Sequence, residues 1–308
     1  MNSYIAMLVV GLMLLISLAA ATGNGNEISV DIYQEAEGNC ITGDVYIAQE
    51  TYAIAYIQGN NNHVSQDIDA YVNDNILTGT EAIPTGMTQV CSIIGNVTGN
   101  NNYLEQNIDF NSRNNNLVGS NLSQGATQLA EIVGSNNHAC QSTFVDSYDN
   151  MLTLSNLSQF SLLKASCLVG NGNSLDQQIG QSVSYSCLVS SKIWQLMVGS
   201  ANLLGNNNDV YQQSNQNADR ASLYGSSLKQ TINQISAVDG SLNSINQFAA
   251  ISSNDAILTE AEEYQTINEN ANVLGCGNSV THDITLNGDG NSIVGGSVIQ
   301  QSQITTDI

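Results

Sequence analysis

Apolar and polar residues alternate along most of the chain, and the alternation is tied to a glutamine. Leu104-Glu105-Gln106-Asn107-Ile108, Leu157-Ser158-Gln159 and Leu228-Lys229-Gln230-Thr231-Ile232 share one pattern: apolar, any residue, Gln, and often apolar again two positions later. A period of two places these residues on one side of a β-strand. The glutamine recurs at Gln34, Gln49, Gln66, Gln89, Gln106, Gln124, Gln141, Gln159, Gln177, Gln195, Gln212, Gln230, Gln247, Gln265 and Gln300, with His282 in the remaining slot. From Gln89 onward every step is 17 or 18 residues. With 24 Gln in 308 residues, sixteen slots would hold about one by chance, whereas fifteen hold one, so the period is a structural repeat. The position two before each Gln is apolar throughout, from Ile32 and Ile47 to Val280 and Val298, except at Glu263.

Seven residues before the glutamines, Gly59, Gly99, Gly134, Gly170, Gly205, Gly240 and Gly275 alternate with Leu117, Leu152, Leu188, Leu223, Leu258 and Ile293. The unit is therefore about 17.5 residues within a 35-residue superperiod. Each glycine opens a Gly-x-x-Asn turn, closed by Asn62, Asn102, Asn137, Asn173, Asn208, Asn243 and Asn278. Gly and Asn suit a tight corner because both tolerate left-handed backbone. A unit this short cannot bury its own apolar side. Stacked as rungs of two five-to-seven-residue strands, it forms an all-β repeat solenoid or β-arch array, in which glutamines about 4.8 Å apart donate and accept in a continuous ladder. Sixteen such rungs would span roughly 70 Å. The alternative is a long antiparallel β-meander, which the Gly/Leu alternation favours; the identical Gln register in both halves favours the solenoid. Pro84 lies in the one long interval, the 23 residues from Gln66 to Gln89, and marks an inserted loop. A single repetitive domain is expected over 22–308, with irregular rungs over 22–88 and regular ones over 89–308.

Composition narrows the function. There are 41 Asn and 24 Gln, and 5 Lys+Arg stand against 27 Asp+Glu, a net charge of −22. Nucleic acid and anionic membrane surfaces both demand a basic footprint, so neither is an expected partner. Ile5 to Ala21 is an apolar run ending in Ala19-Ala20-Ala21, which reads as a secretory leader over 1–21 cut after Ala20 or Ala21. An uncleaved anchor is the alternative, since the segment before the run has no Lys or Arg. No later segment is long and apolar enough to span a membrane, so the mature chain is expected outside the cell or on its surface.

Export makes disulfides and glycans plausible chemistry. Offsets from the Gln column point Cys140, Cys167, Cys187 and Cys276 outward, available for links between subunits or within the chain, Cys167 and Cys187 being on neighbouring rungs; Cys91 falls in the core column. Three acceptor motifs, at Asn96, Asn121 and Asn156, also fall outward. Catalysis has little to draw on. His63 and His138 share an outward turn slot, no HExxH, GxSxG or phosphate-loop pattern occurs, and the five basic residues are widely spread. Asn287-Gly288-Asp289-Gly290-Asn291 has the look of a calcium turn but stands alone, and a structural turn is the simpler reading. No cofactor or metal is expected.

The Gly-Asn turn followed by a strand bearing Asn and Gln at fixed spacing resembles the curlin-type repeats of secreted functional amyloids. More loosely, the chain resembles the amyloid-like proteins that build the tubular sheaths of methane-producing archaea. These resemblances imply an exported, non-enzymatic subunit whose main partner is itself, assembling by strand stacking into a fibre, sheath or envelope layer, with other envelope proteins or polysaccharide as further partners. A last repeat running eight residues past Gln300, without a capping helix, fits that expectation. The alternative is a monomeric secreted adhesin that binds polysaccharide or a surface protein.

Overall fold

A computed structural model describes residues 11–42, 46–79 and 85–307, and shows a β-solenoid without a helix among them. Each coil runs through a long strand, usually 13 or 14 residues, a Gly/Asn corner, a strand of 11 residues, a second corner, a strand of three residues and a third corner. Stacking these coils gives a long sheet of nine strands, a middle sheet of eight and a short sheet of eight. Every pairing is parallel, between strands one coil apart, such as Gln124 with Gln89 and Gln159, or Gln141 with Gln106 and Gln177. The parallel register sets aside the antiparallel meander.

The rung is twice the length expected. One coil takes 35 or 36 residues, and the 17.5-residue step measures the crossing from the long sheet to the middle sheet, both of which present Gln inward at the same height. The body accordingly has eight coils rather than sixteen, and at 4.8 Å per coil measures about 38 Å rather than 70. The Gly/Leu alternation has the same origin. The glycines form the corner between long and middle sheets, whereas Leu117, Leu152, Leu188, Leu223 and Leu258 are the buried centres of three-residue strands, such as Asn116–Val118, at the opposite end.

Apolar side chains fill the ends of the cross-section. Ala55, Ile57, Val64, Val97 and Leu104 pack behind the glycine corner, and Leu77, Met87, Leu117 and Leu122 pack behind the short sheet. Between them lie the amides and smaller groups built around Ile68, Ile108 and Phe110, then Ile179 and Ile232. Pro84 lies outside the described residues. The insertion itself is visible in the register, since Gln49 pairs with Gln89 forty residues on, the additional length falling between Ile76–Thr78 and Thr85–Thr98.

The glycine corner explains its own sequence. Gly59, Gly99, Gly134, Gly170, Gly205, Gly240 and Gly275 have φ between +117° and +145°. The Asn three residues later joins coils twice: its backbone N–H donates to the Oδ1 of the next Asn at 2.8–3.0 Å, and its Nδ2 donates to the carbonyl of the preceding coil's glycine at 2.8–3.1 Å. Asn75, Asn115 and Asn150 repeat the device at the second corner, and Ser120, Ser155 and Ser191 at the third. The residue before the corner Asn is left-handed as well: Asn61, Asn101, Asn136, Asn207, and Gly172 or Gly277, but Leu242 at φ +59°. A leucine there is strained by roughly 1 kcal/mol relative to Asn or Gly, and its side chain is exposed, so nothing is gained in return. Leu242→Asn is expected to raise unfolding stability by about 1 kcal/mol, read from the urea midpoint.

Candidate assembly site

Two glutamine ladders run through the core, one on each wall. On the long sheet the Nε2 of Gln89, Gln124, Gln159, Gln195, Gln230, Gln265 and Gln300 each donates to the Oε1 of the glutamine one coil earlier, at 2.7–3.3 Å. On the middle sheet Gln106, Gln141, Gln177, Gln212 and Gln247 do the same, at 2.8–3.2 Å. All these bonds point the same way. Each glutamine therefore presents its donor toward the N-terminal end and its acceptor toward the C-terminal end, so coils that hold one on the same wall are complementary to each other.

Gln34 is not a member. Along Glu27–Glu37 it stands opposite Ala70, while Val30 holds the slot opposite Gln66. Gln34 is buried and its Nε2 reaches the Glu50 carbonyl at 3.4 Å. The middle ladder consequently ends at Gln66, whose Nε2 has no partner, and at Gln247, whose Oε1 has none because His282 lies above it.

His282 occupies the expected slot but turns to another partner. Its Nδ1 lies 3.0 Å from Oε2 of Glu269 across the core, and its Nε2 lies 3.0 Å from Thr306 Oγ1. Glu269 is buried and its Oε1 has no partner. Burial, with the charge of Asp283 adding to it, pushes the Glu269 carboxyl up to about 8, and burial pushes His282 down. Near neutral pH the arrangement is an uncharged carboxyl donating to an uncharged ring. Glu263, the break in the apolar column, is a second buried carboxyl, raised by burial and held by Ser253 Oγ at 3.1 Å and Gln265 Nε2 at 2.7 Å.

The folded state thus keeps the Glu269 proton up to about pH 8, whereas a free carboxyl releases it near 4.5. Its contribution is fully present below pH 4.5 and is lost as the pH rises through about 8. Glu269→Gln, the residue that Gln234 places in the same slot one coil earlier, is expected to remove that loss. The variant should exceed the parent by roughly 3–5 kcal/mol at pH 8 and match it at pH 4, which unfolding midpoints at the two pH values would show.

The other sequence candidates lie on the surface or apart. Cys140 and Cys187 are half-buried and Cys276 is exposed, and no disulfide is present among the described residues. Burial raises the thiols of Cys91 to about 12 and Cys140 to about 11. Cys167 lies eleven residues along Asn156–Val169, roughly 35 Å from the corner of the short sheet that carries Cys187, so these two cannot pair within one chain. Asn96 and Asn121 stand half-buried and Asn156 exposed on the outer face of the long sheet. Asn156 Nδ2 donates to Asn121 Oδ1 at 2.9 Å, so two of the three acceptor side chains are bonded to each other. His63 and His138 flank Tyr103 as ring neighbours, centroids 4.7 and 5.0 Å away. The Asn287–Asn291 segment forms a corner in which Asn291 accepts from Ala256 N–H at 2.9 Å.

No helix among the described residues is long and apolar enough to cross a membrane. Comparison with protein families, with curated proteins and with solved structures finds no match for this chain.

Proposed function

We propose that the protein is an exported, non-enzymatic structural subunit that stacks coil on coil with further copies of itself into an extracellular fibre, sheath or envelope layer. The observation that carries this reading is the long-sheet ladder, uniform in direction and running on to Gln300 in the last coil, together with corner asparagines that repeat the same pair of bonds from coil to coil. A coil face that fits the next coil of its own chain fits the same face of another copy, and because the contact is heterologous and the coils stack along one axis, it propagates without closing into a ring. The free backbone groups of an edge strand supply the remaining bonds. Fibre diffraction on the chain lacking residues 1–21 tests it. Reflections near 4.8 and 10 Å from a sedimenting polymer support the reading, and a chain that stays monomeric at high concentration refutes it.

One observation favours the second reading, a monomeric adhesin for polysaccharide. Trp194, the only tryptophan, is 51% exposed on the outer face of the long sheet. Lys192 flanks it on its own strand, and Asn156 and Ser158 lie beside them one coil earlier. A flat aromatic among amides and hydroxyls suits a sugar ring. Quenching of Trp194 fluorescence by soluble polysaccharide, without sedimentation of the protein, would favour that alternative.

A further inference from the structure

The apolar segment expected to be a removable leader supplies, in the intact chain, the first strand of the long sheet, Gly11–Thr22, paired with Tyr46–Gln58. We propose that once a peptidase hydrolyses the chain after Ala20 or Ala21, this seat is filled by Ser297–Asp307 of a second copy, so that neighbouring copies share one composite coil. The inference rests on the stacking reading above and specifies its joint.

Three features of the register carry it. Among the described residues the long sheet has nine strands and the other two have eight. Without Gly11–Thr22 all three have eight, so copies joined in this way form a solenoid with no missing or surplus strand. The second feature is the ladder. Gln49 stands opposite Met13, so the amide column has no member in the leader strand. Gln300 holds the corresponding slot at the far end of the same column. Seated on Tyr46–Gln58, Ser297–Asp307 would offer Gln300 Oε1 to Gln49 Nε2, the same direction as every internal step. The third is the outer face. In the leader strand Ile16 and Leu18 are 67% and 68% exposed. Gln303 and Thr305 would stand in those two slots and restore the polar-out alternation of the sheet. Asp307 falls on the slot of Ala20, on the leader side of the expected cut.

The seat also predicts a burial change. Ile304 is 52% exposed in the single copy and would come to lie against Ala53, which is fully buried. Ile304→Lys in the chain 22–308 is therefore expected to leave the monomer folded, checked by circular dichroism and urea midpoint, and to raise the critical concentration for polymer growth at least about tenfold. The intact 1–308 chain, with its seat occupied, is expected to show the same rise. A Tyr52→Cys, Gln303→Cys double variant supplies a direct reading. The two positions sit at opposite ends of one copy, seven strand spacings or about 34 Å apart, and directly beside each other in the composite coil. Oxidised polymer should yield a 52–303 disulfide-linked peptide by mass spectrometry. Polymers of 22–308 without that link, with Ile304→Lys growing at the parent rate, would overturn the composite coil and leave coil stacking standing. Absence of any polymer from 22–308 would overturn both.

Discussion

Gly134→Ala is expected to destabilise the fold by about 4 kcal/mol, while Gly125→Ala changes it by less than about 0.5. At Gly134 an added Cβ would lie 1.9 Å from the Gly99 carbonyl oxygen and 2.7 Å from its carbon, on a backbone with φ +132°. The atom in the way is backbone, held by its own coil, and cannot swing aside. Relief requires opening the corner, which would break the bond from Asn173 Nδ2 to the Gly134 carbonyl at 2.9 Å and that from Gly134 N–H to the Val169 carbonyl at 2.8 Å. Gly125 lies on the outer side of a neighbouring strand, and its nearest atom would be 4.0 Å away. Urea denaturation of the two variants separates a corner that only glycine can form from a strand position that glycine merely occupies.

The adjacent glutamines Gln177 and Gln178 offer the second large contrast. Gln177 is buried, donates to Gln141 Oε1 at 2.8 Å and accepts from Gln212 Nε2 at 2.8 Å. Gln178 points outward and reaches only the Asp176 carboxylate of its own strand, at 3.3 and 3.4 Å. Gln177→Leu would strand an acceptor on one neighbour and a donor on the other, at about 1–3 kcal/mol for each buried unpaired group, giving roughly 2–6 kcal/mol in all. Gln178→Leu should stay within about 0.5 kcal/mol. Equal effects at the two positions would mean that the ladder contributes nothing beyond strand propensity.

Much of this was legible in the sequence because the solenoid repeats its demands. The Gln column, the apolar residue two before it and the Gly-x-x-Asn corner each recur often enough to stand out from composition. The coil length was not legible from the Gln spacing, for a physical reason. Two walls facing one core at the same height select the same residue, so the sequence period counts crossings of the core and not turns of the coil. The Gly/Leu alternation held the distinction, since a glycine corner and a three-residue strand cannot be the same end of the coil. Gln34 misleads because the first coil lacks an amide in the ladder slot; its 15-residue step to Gln49 is the one trace in the sequence, and the pairing of Gln34 with Ala70 and of Val30 with Gln66 explains it. The pairing of Glu269 with His282 leaves no periodic trace at all. The two lie thirteen residues apart on opposite walls, and their meeting depends on the coil being closed.

The most direct test of coil-on-coil stacking is the axial rise per subunit in filaments of the chain 22–308, measured by helical reconstruction from electron micrographs. Eight coils at 4.8 Å predict a rise of about 38 Å with a strong 4.8 Å layer line. A rise of about 4.8 Å, one whole chain flattened into each layer as in an ordinary amyloid, would contradict it.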